Sequence, residues 1–311
     1  MTGATGAPPG VQADCPLERL TTIRTGGRGD FFARPDSPEQ LAEILAWAGD
    51  AGAQVGVVGS GSNLLIADEG FRGLVLKLDG SLATIEQDGE RLLCGGGARL
   101  PQAAAFAARA GLSGLEFGVN IPGTVGGAVK MNANAYGGDL ARVLEWVEVT
   151  TPSGTDRRAP DQLGFSYRRS NLGSDEIVAR ASFALSPAEP DSVKSTLADM
   201  RSQRRAAQPS GIKTFGSTFK NPDDPRAEGK SAGVLLDEAG CRGLMVGGAR
   251  FSEKHANFVE NMGEATTADV IALMGEGRRR VRERFGVDLE PEVQFLGEVD
   301  TTPLWGEDNQ P

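Results

Sequence analysis

Apolar positions in this chain recur first at helical and then at alternating spacing, and the changes between the two mark its elements. Leu41, Ile44, Leu45 and Ala48 fall on one helical face. The helix start carries Ser37 as N-cap, Pro38 at the first helical position and Gln40 completing a capping box. Residues 55–58 read as a short buried strand, broken by Gly59-Ser60-Gly61-Ser62-Asn63. Residues 74–78 and 91–94 predict further strands, and residues 101–110 a helix opening on proline, so layered β and α elements extend to about residue 112. Beyond a glycine-dense tract at 111–138, residues 143–150 and 177–185 predict antiparallel strands, with a turn at 151–155. The Pro-, Ala- and acid-rich stretch 186–191 reads as a domain boundary. Residues 192–208 then predict a helix, and Ala232, Leu235, Leu236 and Ala239 the apolar face of another. Val270, Leu273, Met274, Val281 and Phe285 mark a last long helix, followed by a strand at 292–296. No repeat of solenoid or propeller period is present.

Composition narrows this picture. With 311 residues, 39% apolar residues and 43 glycines, the chain suits a loop-rich α/β or α+β protein of two or three domains. A net charge of −10 argues against nucleic-acid or membrane-surface partners, so an anionic ligand needs a local cation cluster. The three scattered cysteines, Cys15, Cys94 and Cys241, suggest reduced thiols and a cytoplasmic location. His255 is the sole histidine, so no metal site is expected. The first twenty residues lack the basic start and apolar core of a signal peptide, and no apolar run is long enough to span a bilayer. The two ends read as flexible tails.

Two glycine loops stand out. Gly59-Ser60-Gly61-Ser62-Asn63 follows a strand but departs from the dinucleotide fingerprint: Leu64 replaces the third glycine, and Leu64-Leu65-Ile66 is β-like. What remains is a nest of backbone N–H groups with two hydroxyls and an amide, suited to a pyrophosphate or to an ordinary surface turn. Ile121-Pro122-Gly123-Thr124-Val125-Gly126-Gly127 offers a second such cradle, and together the two could clamp one large diphosphate cofactor. The stretch Phe215-Gly216-Ser217-Thr218-Phe219-Lys220-Asn221-Pro222 sets hydroxyls, an ammonium and a carboxamide between two aromatic anchors. By itself it favours an ordinary capped turn over a site.

These segments occur with others in a recognisable order: Thr25-Gly26-Gly27, Gly114-Leu115-Glu116-Phe117, Met131-Asn132-Ala133, Phe165-Ser166-Tyr167-Arg168-Arg169-Ser170, residues 252–258 and Pro291-Glu292-Val293. From about residue 20 to 297 the chain resembles the UDP-N-acetylenolpyruvoylglucosamine reductases, the MurB family of flavoenzymes. The resemblance implies an α+β fold, with a two-part FAD-binding domain of the PCMH/VAO type and a C-terminal α+β substrate-binding domain. The corresponding boundaries are a tail at 1–20, the FAD domain at 21–188 (parts at about 21–80 and 81–188), the substrate domain at 189–298 and a tail at 299–311.

It further implies that NADPH reduces a non-covalently bound FAD. Hydride then passes to C3 of the enolpyruvyl group of a UDP-sugar and C2 is protonated, giving UDP-N-acetylmuramate for peptidoglycan synthesis. Ser217 would be the proton donor, with Arg168 and Glu292 completing the catalytic set. The cofactor would lie on Gly59, Ser60, Gly61, Ser62, Asn63, Ile121, Pro122, Gly123, Thr124, Gly126 and Gly127. Tyr167 and Asn221 would bind substrate. These residue types suit the chemistry: a guanidinium stabilises enolate-like charge beside a carboxylate, and a fixed hydroxyl delivers a proton to one face. Asn120 and Asn134 stand where the family often has glycine, and Ala207 where it usually has lysine, with Arg204 and Arg205 nearby. His255 is expected to be structural, and Arg278, Arg279, Arg280, Arg282 and Arg284 to form the solvated face of the last helix. A monomer is expected. The rival readings are another FAD oxidoreductase and a flavin-binding paralogue without catalysis.

Overall fold

A computed structural model describes residues 6–209 and 211–305. Its chain divides into two compact units that interleave along the sequence. The first comprises Met1–Cys15, Gly29–Ser60 and Arg72–Arg204; the second comprises Pro16–Arg28, Gly61–Phe71 and Arg205–Pro311. The interleaving departs from the consecutive domains drawn from sequence.

In the first unit, the apolar stripe of the helix Pro38–Asp50 is fully buried, with Leu41, Ile44, Leu45 and Ala48 all at 0% exposure. Ser37 caps it by accepting from Gln40 N. The Gln40 side chain, however, accepts from Asp36 N and not from Ser37 N, so the expected capping box is displaced by one residue. This helix covers a sheet ordered Val11–Pro16, Arg28–Ala33, Phe71–Leu76 and Gln54–Val57, whose last two strands run parallel. A second sheet is antiparallel in its pairings and ordered Gly154–Arg158, Leu144–Thr151, Ile177–Ala184, Arg91–Gly95 and Ile85–Asp88. The helix Leu100–Arg109 and the short helix Val125–Lys130 contribute to its core with Phe117 and Phe183. The helix Pro190–Ala207 adds Val193 and Leu197 to that core.

In the second unit, the helix Thr267–Phe285 packs with the helix Ala232–Glu238 and the antiparallel strands Met245–Val246, Ala249–Phe251 and Val259–Asn261. The strand Gln294–Leu296 pairs in parallel with Leu64–Ile66, the segment that leaves the first glycine loop. The strand thus begins two residues later than its predicted start at 292.

Three expectations need correction. The N-terminal tail contains the strand Val11–Pro16, which joins a sheet, followed by fully buried Leu17. The C-terminal tail contains the helix Thr302–Trp305, anchored by Leu304 at 2% exposure. Residues 1–5 and 306–311 of those tails lie outside the described residues. Arg278, expected in solvent, is 8% exposed. It donates to the carbonyls of Leu289 and Leu304, pairs with Asp288 at 3.1 Å and stacks over Trp305. Position 278 follows Met274 by one helical turn and precedes Val281 on the same face, which places it in the core. Among the described residues, no helix is long and apolar enough to cross a membrane.

Candidate functional site

Within the first unit the two glycine loops meet. A Cβ on Gly59 would lie 2.4 Å from Thr124 Oγ1, so only glycine lets these segments touch without displacement. Ser60 Oγ is buried with no hydrogen-bond partner, an orphan acceptor and donor in the middle of the loop. Lys77 Nζ donates to Gly59 O at 2.6 Å. Burial pushes the Lys77 ammonium down from its usual pKa, and Arg34 and Arg99 push it further, which marks a local cation cluster in an acidic protein. These residues fit the diphosphate of the expected FAD: an unsatisfied hydroxyl, a closely approached backbone and concentrated positive charge.

The second loop offers fewer donors than its sequence suggested. Val125 N and Gly126 N are used by Ala98 O and Gly96 O, and Gly127 N by Thr124 Oγ1. Thr124 is the N-cap of the helix Val125–Lys130, which explains why that hydroxyl turns inward. Ile121, Pro122 and Gly123 are half-buried beside it. Lys77 was not legible as a site residue, because its role depends on the register of the strand it follows.

Also in the first unit, Tyr167 and Arg168 form the tip of a turn closed by Ser166 N to Arg169 O (3.0 Å) and Arg169 N to Ser166 O (3.2 Å). Arg168 has φ +56°, and Asn132 and Tyr136 are also left-handed, at +40° and +52°. Each such residue costs on the order of 1–3 kcal/mol, and such strain concentrates where function demands it. Asn132 and the Arg168 turn are linked locally. Asn132 Nδ2 donates to Ser166 O at 3.1 Å. Arg168 Nη1 donates to Asn134 Oδ1 at 2.8 Å and Asn134 O at 3.1 Å. Its guanidinium also stands 5.1 Å from the Tyr167 ring centre, and Tyr167 is 46% exposed. Asn120 Nδ2 reaches Tyr136 Oη at 3.1 Å and Met200 O at 2.7 Å, and Arg204 donates to Asn120 O. Arg204 is therefore committed to Asn120, and burial pushes its pKa below the usual value.

The second unit holds Ser217, Glu292 and Asn221. Phe215 and Phe219 anchor the turn in the core, at 0% and 1% exposure, and leave Ser217 half-buried. One edge of the turn pairs with residues 290–292. Glu292 N donates to Thr218 O and Lys220 N to Glu290 O, each at 2.9 Å, with an antiparallel bridge between Phe219 and Pro291. Glu292 is thereby set across from Thr218, the residue that follows Ser217. The remainder of the first glycine loop joins them. Asn63 Nδ2 donates to Glu292 O and Gln294 N to Asn63 O, both at 3.1 Å. Ser62 O lies 3.5 Å from where a Cβ on Gly216 would stand. Gly61 has φ +65° and passes so close to Leu20 O that a Cβ would sit 2.0 Å from it.

The other edge of the turn is held by Asn257, whose importance the sequence did not reveal although it lies in the 252–258 motif. Thr218 N donates to Asn257 O at 2.8 Å, Phe219 N to Asn257 Oδ1 at 2.9 Å, and Asn257 Nδ2 to Phe219 O at 2.8 Å. His255 Nδ1 accepts from Asn257 N at 3.3 Å, and its ring packs edge-on to Phe258. Asn221 is exposed, and its Oδ1 accepts from Ala232 N at 3.1 Å, so its oxygen caps a helix and its amide N is the group it can offer a ligand. Thr218 Oγ1 is buried without a partner, and Lys220 pairs with Glu290 at 3.2 Å.

Comparison with known proteins finds two family matches in this chain. Residues 208–296 match the family model described as UDP-N-acetylenolpyruvoylglucosamine reductase, C-terminal domain, and residues 29–159 match an FAD binding domain. The UDP-N-acetylenolpyruvoylglucosamine reductase 2 of Symbiobacterium thermophilum is 44% identical over 91% of this chain and 91% of its own. The reductase of Gluconobacter oxydans is 43% identical over the same shares. The crystal structure of the reductase from Thermus caldophilus superimposes with a TM-score of 0.79 at 38% identity, covering 92% of this chain and 98% of that one.

Proposed function

The chain belongs to the UDP-N-acetylenolpyruvoylglucosamine reductase family, and from that premise we propose how its residues carry out the reaction. The enzyme is an FAD oxidoreductase that converts UDP-N-acetyl-3-O-(1-carboxyvinyl)-glucosamine to UDP-N-acetylmuramate in peptidoglycan precursor synthesis. When bound, FAD supplies hydride transfer between NADPH and C3 of the enolpyruvyl group. Gly59–Asn63 and Ile121–Gly127, together with Lys77, hold the cofactor's diphosphate.

Arg168, its guanidinium steadied by Asn134, binds the enolpyruvyl carboxylate and stabilises the negative charge that builds on it as C3 gains hydride. Ser217 donates its hydroxyl proton to C2. A serine is a weak acid, so this step depends on the charge stabilisation that Arg168 provides. Glu292 orders the proton path to Ser217. Asn221 Nδ2 and Tyr167 contact the UDP-sugar. A cytoplasmic, monomeric protein with NADPH as donor belongs to the same proposal.

The observation that supports this reading best is the register of the Ser217 turn against residues 290–292, which ties the main chain beside Ser217 to that of Glu292 on one hydrogen-bonded support. Single-turnover kinetics test it. Ser217→Ala should leave flavin reduction by NADPH intact and slow reoxidation by the enolpyruvyl substrate by about 10²- to 10⁴-fold. Reoxidation at the wild-type rate would remove Ser217 from the proton-donor role.

A further inference from the structure

We infer that Asn257 is a positioning residue for the proton-donating step, acting as the missing strand neighbour of the catalytic turn. The segment Ser217–Lys220 has two hydrogen-bonding edges. Residues 290–292 supply a partner for one, through main-chain bonds from Glu292 N and Lys220 N. On the opposite edge no second strand of that kind is present among the described residues; one residue does its work. The Asn257 carbonyl takes Thr218 N, and its carboxamide takes both groups of Phe219, donating to the carbonyl and accepting from the amide. A carboxamide is the side chain able to copy the donor and acceptor of a peptide group at once.

All three bonds measure 2.8–2.9 Å, and Asn257 is 4% exposed, so water cannot substitute for it. The residue it grips adjoins Ser217 at one step's remove, and the same turn carries the register with Glu292. Releasing this edge lets the turn shift relative to its partner segment. Displacement of a reacting group by about 1 Å can cost about 10²-fold in rate without loss of binding.

The inference rests on Ser217 being the proton donor, and the experiment separates the two. In Asn257→Asp the carboxylate still accepts from Phe219 N but presents a lone pair to Phe219 O. Lowering the pH protonates it and restores the donor. Burial raises the pKa of such a carboxyl, so recovery should begin above the ordinary aspartate range. The titratable groups around this position are His255 in its own turn, with Arg242 and Asp237 acting on that ring, Lys220 in the gripped turn, and Glu290 and Glu292 across it. Wild type measured over the same range subtracts their titration.

With flavin-loaded protein, Asn257→Asp at pH 8 should slow reoxidation by the enolpyruvyl substrate about 10- to 100-fold. Flavin reduction by NADPH and the KM for the enolpyruvyl substrate should stay within about twofold of wild type, and the reoxidation rate should recover as the pH falls toward 5.5. Equal losses in both half-reactions, or no acid recovery, would overturn the inference in favour of a purely structural asparagine. Should Asn257→Asp not retain flavin, Asn257→Ser keeps one hydroxyl for Phe219 and carries the same comparison without the pH arm. A selective loss of reoxidation supports the inference and a uniform loss overturns it. If Ser217→Ala reoxidises normally, the proton-donor reading fails; if only the Asn257 variants do, the positioning role fails alone.

Discussion

Replacing Gly59 with alanine tests the contact between the two glycine loops directly. Its backbone is not left-handed, so alanine brings no conformational strain and the whole effect is packing. The new Cβ would stand 2.4 Å from Thr124 Oγ1, 3.2 Å from its Cγ2 and 3.4 Å from its Cβ. The last is ordinary contact and the second must ease by a few tenths of an ångström, but the first must open by roughly 1 Å. Rotating Thr124 would do it, at the loss of the bond from Gly127 N that caps the helix Val125–Lys130, about 1 kcal/mol. Moving the loops apart costs about 1–3 kcal/mol, as overpacking generally does. Either path spreads the cradle. If that energy falls on cofactor binding, FAD affinity drops about 5- to 150-fold. Titration of apo-protein with FAD, followed by flavin fluorescence, measures it. Thr124→Ala alone should weaken binding through the lost cap, yet added to Gly59→Ala it removes the colliding oxygen and should restore part of the affinity. Wild-type affinity in Gly59→Ala, or a double variant showing the simple sum of the two losses, would refute the proposed meeting of the loops.

Two further predictions follow from the contacts of single side chains. Asn134→Ala removes the 2.8 Å acceptor of Arg168 and leaves the main-chain one, so reoxidation by the enolpyruvyl substrate should fall about tenfold while reduction by NADPH is unchanged; equal rates in both steps would show that Arg168 needs no such support. Burial, followed by the Arg242 charge, pushes the His255 pKa below its usual value, so the unfolded chain binds the proton more readily than the folded one. Stability should therefore be complete above about pH 6.5 and decline as the pH falls through the unfolded-state value. Urea unfolding at pH 7.5 and 5.5 should show a larger acid loss for wild type than for His255→Gln, and identical losses would contradict it.

What the sequence made legible was whatever repeats locally. The stripe Leu41, Ile44, Leu45 and Ala48 defined its helix because burial of one face follows from spacing alone. The strand after Asn63 was recognisable because Leu64-Leu65-Ile66 lacks helical periodicity, and it is a strand. Arg278 was misjudged because its charge was weighed ahead of its position on the wheel between Met274 and Val281. The Gln40 side chain had two amides within reach, and a pattern of residue types cannot choose between them. The interleaved units were hidden for a deeper reason. That residues 16–28 and 61–71 fold with the C-terminal third depends on pairings such as Leu64–Ile66 with Gln294–Leu296, separated by about 230 positions.

The candidate site shows the same limit more sharply. Its candidate residues were proposed from ordered motifs, but what holds them in place could not be read there. In each unit the support is largely asparagine. Asn63 bonds both the Glu292 carbonyl and Gln294 N, Asn257 grips Phe219, and Asn221 caps the helix Ala232–Glu238. Asn132 ties down Ser166, Asn134 accepts from Arg168, and Asn120 joins Tyr136 to Met200. A segment that must stay open to a ligand cannot be closed into a regular sheet on both edges, so its peptide groups need partners from side chains. The carboxamide supplies donor and acceptor in one planar group and remains neutral at every pH. An aspartate would supply only acceptors and a lysine only donors, and either would add charge that bears on the roles proposed for Ser217 and Arg168. Asn120 and Asn134 act as such supports in this chain, and the strained residues Tyr136 and Arg168 are the ones they hold.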